Sequence, residues 1–215
     1  MDDLFDSLEG PEAREIIADG AMVLRRRALP VVADLLLALA SVAGLAPFRH
    51  MVTPGGFTMS VAMTNCGTAG WITDRTGYRY DRTDPETGRP WPAMPAAFLE
   101  LASGAAADAG YPGFLPDACL INRYEPGSRL SVHQDRNERD FDPPIVSVSL
   151  GLPATFLFGG PRRADPIRRH PLHHGDVVVW GGASRLFHHG VAPLKDGKHP
   201  MLGRTRINLT FRRAL

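Results

Sequence analysis

Two rhythms divide the chain. Before about residue 117, apolar residues recur at helical spacing in two stretches. Val31, Leu35, Leu36, Leu39 and Val42 share one side of a helix expected over Pro30–Leu45, with Pro30 in its first turn and Gly44 at its end. Met94, Phe98, Leu101 and Ala105 form the stripe of a second helix, Pro92–Ala109, which Gly104 weakens and Gly110 stops. From Ala118 onward the pattern changes to short β segments separated by turn residues, near 118–124, 129–134, 145–151, 154–158, 176–180, 186–191 and 206–212. Many short strands without intervening helices predict a mainly β fold, a sandwich or a barrel.

The last segment alternates strictly. Arg206, Asn208, Thr210 and Arg212 fall on one side, and Ile207, Leu209 and Phe211 on the other. An ordinary surface strand has this pattern. So does a strand whose two arginines clamp a diacid. Their Cα atoms would stand about 20 Å apart at ~3.3 Å per residue. Less the reach of both side chains, that gap suits a short five-carbon dicarboxylate, and the planar guanidinium fork pairs with carboxylates bidentately.

His133-Gln134-Asp135 sets an imidazole and a carboxylate at i and i+2, which point to the same side of a strand. With one more imidazole from a distant strand they make the two-histidine, one-carboxylate set. That set holds Fe(II) and leaves three adjacent positions open. Such a triplet also arises by chance, as an exposed polar pair at a strand end. The third ligand has several candidates: His188 and His189 side by side, and His170, His173, His174 and His199, of which His173-His174 reads as surface.

Composition narrows the setting. A chain of 215 residues with 44% hydrophobic content, no long linker and no internal repeat fits one compact domain. No apolar run reaches the ~20 residues that span a bilayer. The start, Met1-Asp2-Asp3-Leu4-Phe5-Asp6, is acidic rather than basic as in a signal peptide, so the expected setting is the cytoplasm, with no membrane partner. Cys66 and Cys119 have neither CxxC nor zinc spacing and read as reduced thiols. The net charge of +1 gives no global field for nucleic acid, so any such binding needs local patches. Arg162-Arg163 is one candidate, while Arg168-Arg169 reads as solvated surface.

Several longer stretches carry a resemblance. They are Met51–Gly56, Met59–Gly67, Trp91–Pro95, Asp117–Tyr124, Ile145–Pro153 and Asp176–Gly182. With the His133/Asp135 pair they resemble the AlkB family of Fe(II)/2-oxoglutarate dioxygenases that repair alkylated DNA, from about Leu4 to Arg212. The resemblance implies a double-stranded β-helix, or jelly roll, with its metal inside one open end. It places flanking helices and a nucleotide-recognition lid in about 1–117 and the catalytic core in about 118–215. It implies Fe(II) as metal and 2-oxoglutarate and O₂ as co-substrates. The implied activity is oxidative demethylation of N-alkylated bases in single-stranded DNA or RNA, releasing formaldehyde, succinate and CO₂, by a monomer.

The same resemblance assigns residues. His133, Asp135 and His189 become the metal ligands, with His188 pointing away. Asn122 and Tyr124, on one strand face with Leu120, would bind 2-oxoglutarate with Arg206, Asn208 and Arg212. Trp71 would stack on the damaged base, since a protein that acts on a base must extrude it and hold its face. Tyr78, Arg79 and Tyr80 would line the same lid, Thr53, Met63 and Ser131 the pocket, and Arg163 the substrate strand. One position departs from the pattern. Asn137 stands where the family has an aspartate that helps to recognise the base's exocyclic nitrogen, and an amide has both donor and acceptor but no charge. This puts base preference in doubt, and Asn137 counts among the substrate-binding candidates. Two other classes would share part of the pattern: an oxygenase acting on a protein side chain or small molecule, and a jelly roll that only binds metal. Trp71, Tyr78 and Arg163 weigh against the first, and the Arg206/Arg212 pair against the second.

Overall fold

The computed structural model describes residues 13–215. The acidic Met1–Asp6 segment, on which the cytoplasmic reading rests, lies outside them. In chain order the elements are β1 (Arg14–Ala18), β2 (Ala21–Leu24), α1 (Val32–Leu45), β3 (Arg49–Val52), β4 (Thr58–Gly67), β5 (Gly70–Asp74), β6 (Gly77–Asp81), α2 (Ala96–Asp108), β7 (Ala118–Tyr124), β8 (Leu130–His133), β9 (Ile145–Gly151), β10 (Ala154–Phe158), β11 (Arg168–Leu172), β12 (Val177–Trp180), β13 (His189–Val191) and β14 (Arg206–Arg212). Among the described residues, no helix is long and apolar enough to cross a membrane.

Three layers follow from where the apolar side chains point. Eight strands form the large sheet in the order β1-β2-β12-β9-β14-β7-β4-β3, and four form the small sheet in the order β11-β10-β13-β8. All the pairings are antiparallel. One face of the large sheet carries Cys119, Ile121, Val146, Val148, Ile207, Leu209 and Phe211, packed against Leu35 and Leu39 of α1 and Phe98 and Leu101 of α2. The other face meets the small sheet. Ile145, Val178 and Trp180 pack there on Phe156, Phe158 and Leu172, and Leu120 and Tyr124 on Ala154 and Val191. This is the jelly roll that the strand pattern and the resemblance predict. Because the large sheet is covered on both sides, β9 and β14 are buried along their whole length. The polar face of β14 is therefore an inner wall, and the surface-strand alternative is excluded.

Local differences have local causes. The second helix begins at Ala96 rather than Pro92. A residue before proline is pushed out of the helical region, and Pro92 and Pro95 do this to Trp91 and Met94. Pro95 itself stays extended (φ −61°, ψ 145°) and precedes the first turn. The first helix runs on through Gly44, with Leu29–Val31 as a 3₁₀ turn ahead of it. The segment expected over 186–191 is a strand only at His189–Val191, because a 3₁₀ turn at Gly182–Ser184 occupies the approach. Arg168 and Arg169 are exposed as expected but lie on β11, at the sheet edge, where Pro171 is tolerated. Cys66 and Cys119 are both free and buried, and they face each other across β4 and β7.

Phe98 is fully buried and meets Phe211 edge to face at 5.9 Å, so it joins α2 to the large sheet. Phe98→Ala is expected to lower the unfolding free energy by about 3–5 kcal/mol. Urea denaturation followed by circular dichroism measures this. A loss below about 1 kcal/mol would show that the helix layer does not rest on this contact.

Candidate metal centre and active site

The pairing of β13 with β8 sets His189 directly opposite His133. Paired residues of an antiparallel ladder point to the same face, and the two rings lie 4.6 Å apart. Asp135 follows just beyond the end of β8 and completes the group. One donor atom from each of the three residues lies within 4.8 Å of the others. Each imidazole is turned by a backbone carbonyl. His133 Nδ1 is 2.8 Å from the oxygen of Ser131, and His189 Nδ1 is 3.0 Å from that of Phe187. A carbonyl only accepts, so both Nδ1 atoms carry the proton and both Nε2 lone pairs are free for a metal. Those Nε2 atoms stand 3.5 and 3.6 Å from the two carboxylate oxygens of Asp135. Trp180 and Phe156 back the His189 ring at 4.9 and 6.1 Å. His188 turns away to the carbonyl of Gly160.

The charge states suit a divalent ion. Burial raises the Asp135 carboxyl, but Arg212 and the two histidines outweigh it and hold it well below the usual carboxylate range. His189 is lowered by burial and by its neighbour His133, against the pull of Asp135, and so stays neutral. Arg212 gives Asp135 Oδ2 two hydrogen bonds, from Nε at 2.8 Å and Nη2 at 2.5 Å. The donor set and its outer partners thus fit Fe(II).

Next to this centre the large sheet leaves polar groups without partners. β14 and β7 pair Arg206 with Tyr124 and Asn208 with Asn122. The Arg206 guanidinium lies over the Tyr124 ring at 4.9 Å, and its Nη2 donates to Ser149 Oγ at 2.9 Å. Its Nε and Nη1, the Tyr124 hydroxyl and Asn122 Oδ1 are buried with no hydrogen-bond partner in the protein. A buried polar group left unpaired costs about 1–3 kcal/mol. Two guanidinium nitrogens and a neighbouring phenol left without partners match a carboxylate, so these residues fit 2-oxoglutarate. Leu120 is the apolar wall beside them. Asn208 instead spends its amide on Ser147 Oγ and the Val148 carbonyl.

Over the mouth lies the β5–β6 hairpin. Its register pairs Trp71 with Tyr80 and Thr73 with Tyr78, which sets Trp71, Tyr78 and Tyr80 on one face. Trp71 and the exposed Tyr78 stack at 5.7 Å and 22°. The Trp71 indole N–H donates to Asn137 Oδ1 at 3.2 Å, and the Tyr80 hydroxyl to Glu138 Oε1 at 2.7 Å. Burial pushes the Tyr80 phenol well up, despite nearby Arg212, so it remains a donor. Arg79, on the same hairpin, falls on the opposite face and pairs with Asp74 at 2.8 Å. Thr53 Oγ1 accepts from the amide of Phe57 and closes a turn. Met63 is fully buried beneath the site, paired with Asn122 across β4 and β7. Ser131 is exposed on β8, and Arg163 reaches the carbonyl of Val132 beside His133 at 3.4 Å.

Sequence reasoning missed five residues. Asn65, fully buried, clamps the backbone of Trp71 through both of its amide atoms at 3.0 Å. Ser147 and Ser149 hold Asn208 and Arg206. Their signal was available, as small polar residues at i and i+2 in a run of valines. Glu138 and Arg185 are buried partners at 3.3 Å. A charge three residues after Asp135 hinted at the first, and nothing nearby hinted at the second.

Comparisons place this geometry. The sequence profile of the 2OG-Fe(II) oxygenase superfamily matches residues 24–212. The alpha-ketoglutarate-dependent dioxygenase AlkB of Escherichia coli K12 is 59% identical over 214 residues, covering 100% of this chain and 98% of that protein. That of Salmonella typhimurium LT2 is 61% identical over 201 residues, covering 94% and 93%. The mouse nucleic acid dioxygenase ALKBH1 is 34% identical over 131 residues, 60% of this chain and 33% of that protein. The solved structure of OsALKBH1 superposes with a TM-score of 0.77 at 28% identity, covering 90% of this chain and 97% of that one. The chain therefore belongs to the 2OG-Fe(II) oxygenase superfamily and, within it, to the AlkB family of alpha-ketoglutarate-dependent dioxygenases.

Proposed function

We propose that this dioxygenase oxidatively demethylates N-alkylated nucleobases, of the 1-methyladenine and 3-methylcytosine type, in single-stranded DNA or RNA, acting as a cytoplasmic monomer. The observation that carries the reading is the Trp71/Tyr78 aromatic pair held at the mouth of the metal site by Asn137. A flipped base has two π faces, and stacking on an aromatic side chain is worth about 1–3 kcal/mol per base. The relatives support a nucleic-acid substrate: the mouse protein is named a nucleic acid dioxygenase.

His133, Asp135 and His189 would hold the iron, which with 2-oxoglutarate and O₂ would supply the oxidation of the N-methyl carbon, giving formaldehyde, succinate and CO₂. Arg206 and Tyr124 bind the remote carboxylate of 2-oxoglutarate, with Asn122, Asn208 and Leu120 shaping that cleft. Arg212 orients Asp135 and lends positive charge to the near end of the co-substrate. Trp71 stacks on the base, and Tyr78 and Tyr80 close the lid over it. Thr53, Met63 and Ser131 bound the pocket, and Arg163 meets the phosphate backbone. Asn137 sets the indole of Trp71 and offers the base a neutral amide.

Incubating the protein with methylated oligonucleotides, Fe(II), 2-oxoglutarate and ascorbate is expected to release formaldehyde and restore the unmodified base, as read by mass spectrometry. His133→Ala or Asp135→Ala is expected to cut turnover by more than the roughly 10–100-fold typical of outer-shell changes, with an unchanged circular dichroism spectrum. Near-native turnover by either variant would refute the metal assignment.

Arg206→Lys keeps the charge and loses the fork. It is expected to weaken 2-oxoglutarate by about 10–100-fold, the value of a hydrogen bond to a charged group, with a much smaller effect on oligonucleotide affinity. Separate titrations decide it, and equal weakening of both ligands would remove Arg206 from the co-substrate cleft. Trp71→Ala is expected to weaken the methylated oligonucleotide by about 5–150-fold, the equivalent of 1–3 kcal/mol. If fluorescence anisotropy shows native affinity, Trp71 belongs to the hairpin's packing alone.

A further inference from the structure

Glu138 is a buried carboxylate with no part in the chemistry above. Its side chain is 1% exposed, and that of its partner Arg185 is 3% exposed. Charges this deep persist only beside opposite charges, and Glu138 Oε2 sits by Arg185 without a hydrogen bond of its own. The pairs here form a chain with a direction. The Tyr80 hydroxyl, on the hairpin, donates to Glu138 Oε1 at 2.7 Å. The same oxygen stands 3.4 Å from Arg212 Nε. That Nε also donates to Asp135 Oδ2, at 2.8 Å, and Nη2 of Arg212 joins it. Arg185 closes the loop, with Nη2 3.3 Å from Glu138 Oε2 and Nη1 donating to the backbone oxygen of Asp135 at 3.0 Å. Two carboxylates and two guanidiniums thus alternate between the hairpin and a metal ligand.

We propose that Glu138 is a positioning residue that couples the seating of the β5–β6 hairpin to the orientation of the Asp135 carboxylate, through Arg212 and Arg185. The coupling rests on the reading of this hairpin as the recognition element and of Asp135 as a metal ligand. Its logic is competition for one N–H. Arg212 Nε faces two acceptors, Asp135 Oδ2 and Glu138 Oε1. With the hairpin seated, Tyr80 donates to Glu138 Oε1 and weakens its claim, so Nε stays on Asp135. With the hairpin lifted, that donor leaves, Glu138 draws Nε across, and the Asp135 carboxylate loses part of what orients it. Coupling of this kind is reciprocal: a metal on Asp135 favours the seated hairpin by the same factor.

The test is Co(II) binding, read by visible absorption, on the full chain with 2-oxoglutarate and no nucleic acid. Native protein, Tyr80→Phe, Glu138→Gln and the double variant are compared. Tyr80→Phe removes one hydroxyl on the hairpin. It is expected to weaken Co(II) about fivefold, the low end of coupling between sites. Glu138→Gln is expected to weaken it about tenfold, the low end for an outer-shell partner. The double variant should match Glu138→Gln alone, because Tyr80 acts only through Glu138. Thermal unfolding by circular dichroism accompanies each titration, and should Glu138→Gln fail to fold, Tyr80→Phe decides alone. Native Co(II) affinity in Tyr80→Phe, or two factors that multiply in the double variant, overturns the coupling. Because the titration contains no nucleic acid, a failed demethylation assay leaves its outcome untouched, and a failed titration leaves that assay standing.

Discussion

A strand that is polar on one side and apolar on the other can be buried on both sides only if its polar side finds partners. β14 is such a strand, and the molecule is arranged around meeting that demand. Its apolar side takes the two helices, and its polar side looks into the space between the sheets. There Ser147, Ser149, Asp135 and Glu138 answer most of its hydrogen bonds. What they leave unanswered are two nitrogens of Arg206 and the Tyr124 hydroxyl beside them, buried donors that a bound carboxylate would satisfy. This inner space is polar because the strand is, and it is buried because the sandwich closes around it.

The charges in this space are stable only as a group. Burial alone would neutralise Asp135 and penalise Arg212, yet each keeps the other ionised. The same burial, with His133 nearby, keeps His189 neutral. Preparing the ligands for a cation therefore falls to the outer arginine, without any change in the strands that carry them. The second buried anion, Glu138, gives Arg212 two partners instead of one and ties the hairpin to that balance.

Much of this was legible along the chain. The alternation of Arg206–Arg212 marked a strand, and four of the predicted strands, 118–124, 145–151, 154–158 and 206–212, have the observed bounds. His133 and Asp135 share a side by spacing, but the choice of His189 over His188 came from resemblance, since the register that sets it against His133 is a long-range pairing. The polar face of β14 read equally well as solvent-facing, because no local signal tells that helices cover the other side. The strands before residue 118 stayed hidden. β4 pairs with β7 far along the chain, and β1 and β2 owe their place to β12. Arg79 belongs to the same hairpin as Tyr78 and Tyr80, and the period of two in a strand sets it on the face opposite theirs. Glu138 and Arg185, distant in sequence, become partners only in the fold.

The stack of Trp71 on Tyr78 has a consequence for any flat ring that would use the same platform. At 5.7 Å between ring centres no base fits between them, so each ring already occupies a face of the other. A base arriving at that face of Trp71 displaces a phenol of similar stacking strength, and the net gain is only the difference between two stacks. Where Trp71 serves as the platform for an incoming ring, the hairpin's own stack is therefore the threshold which that ring has to beat.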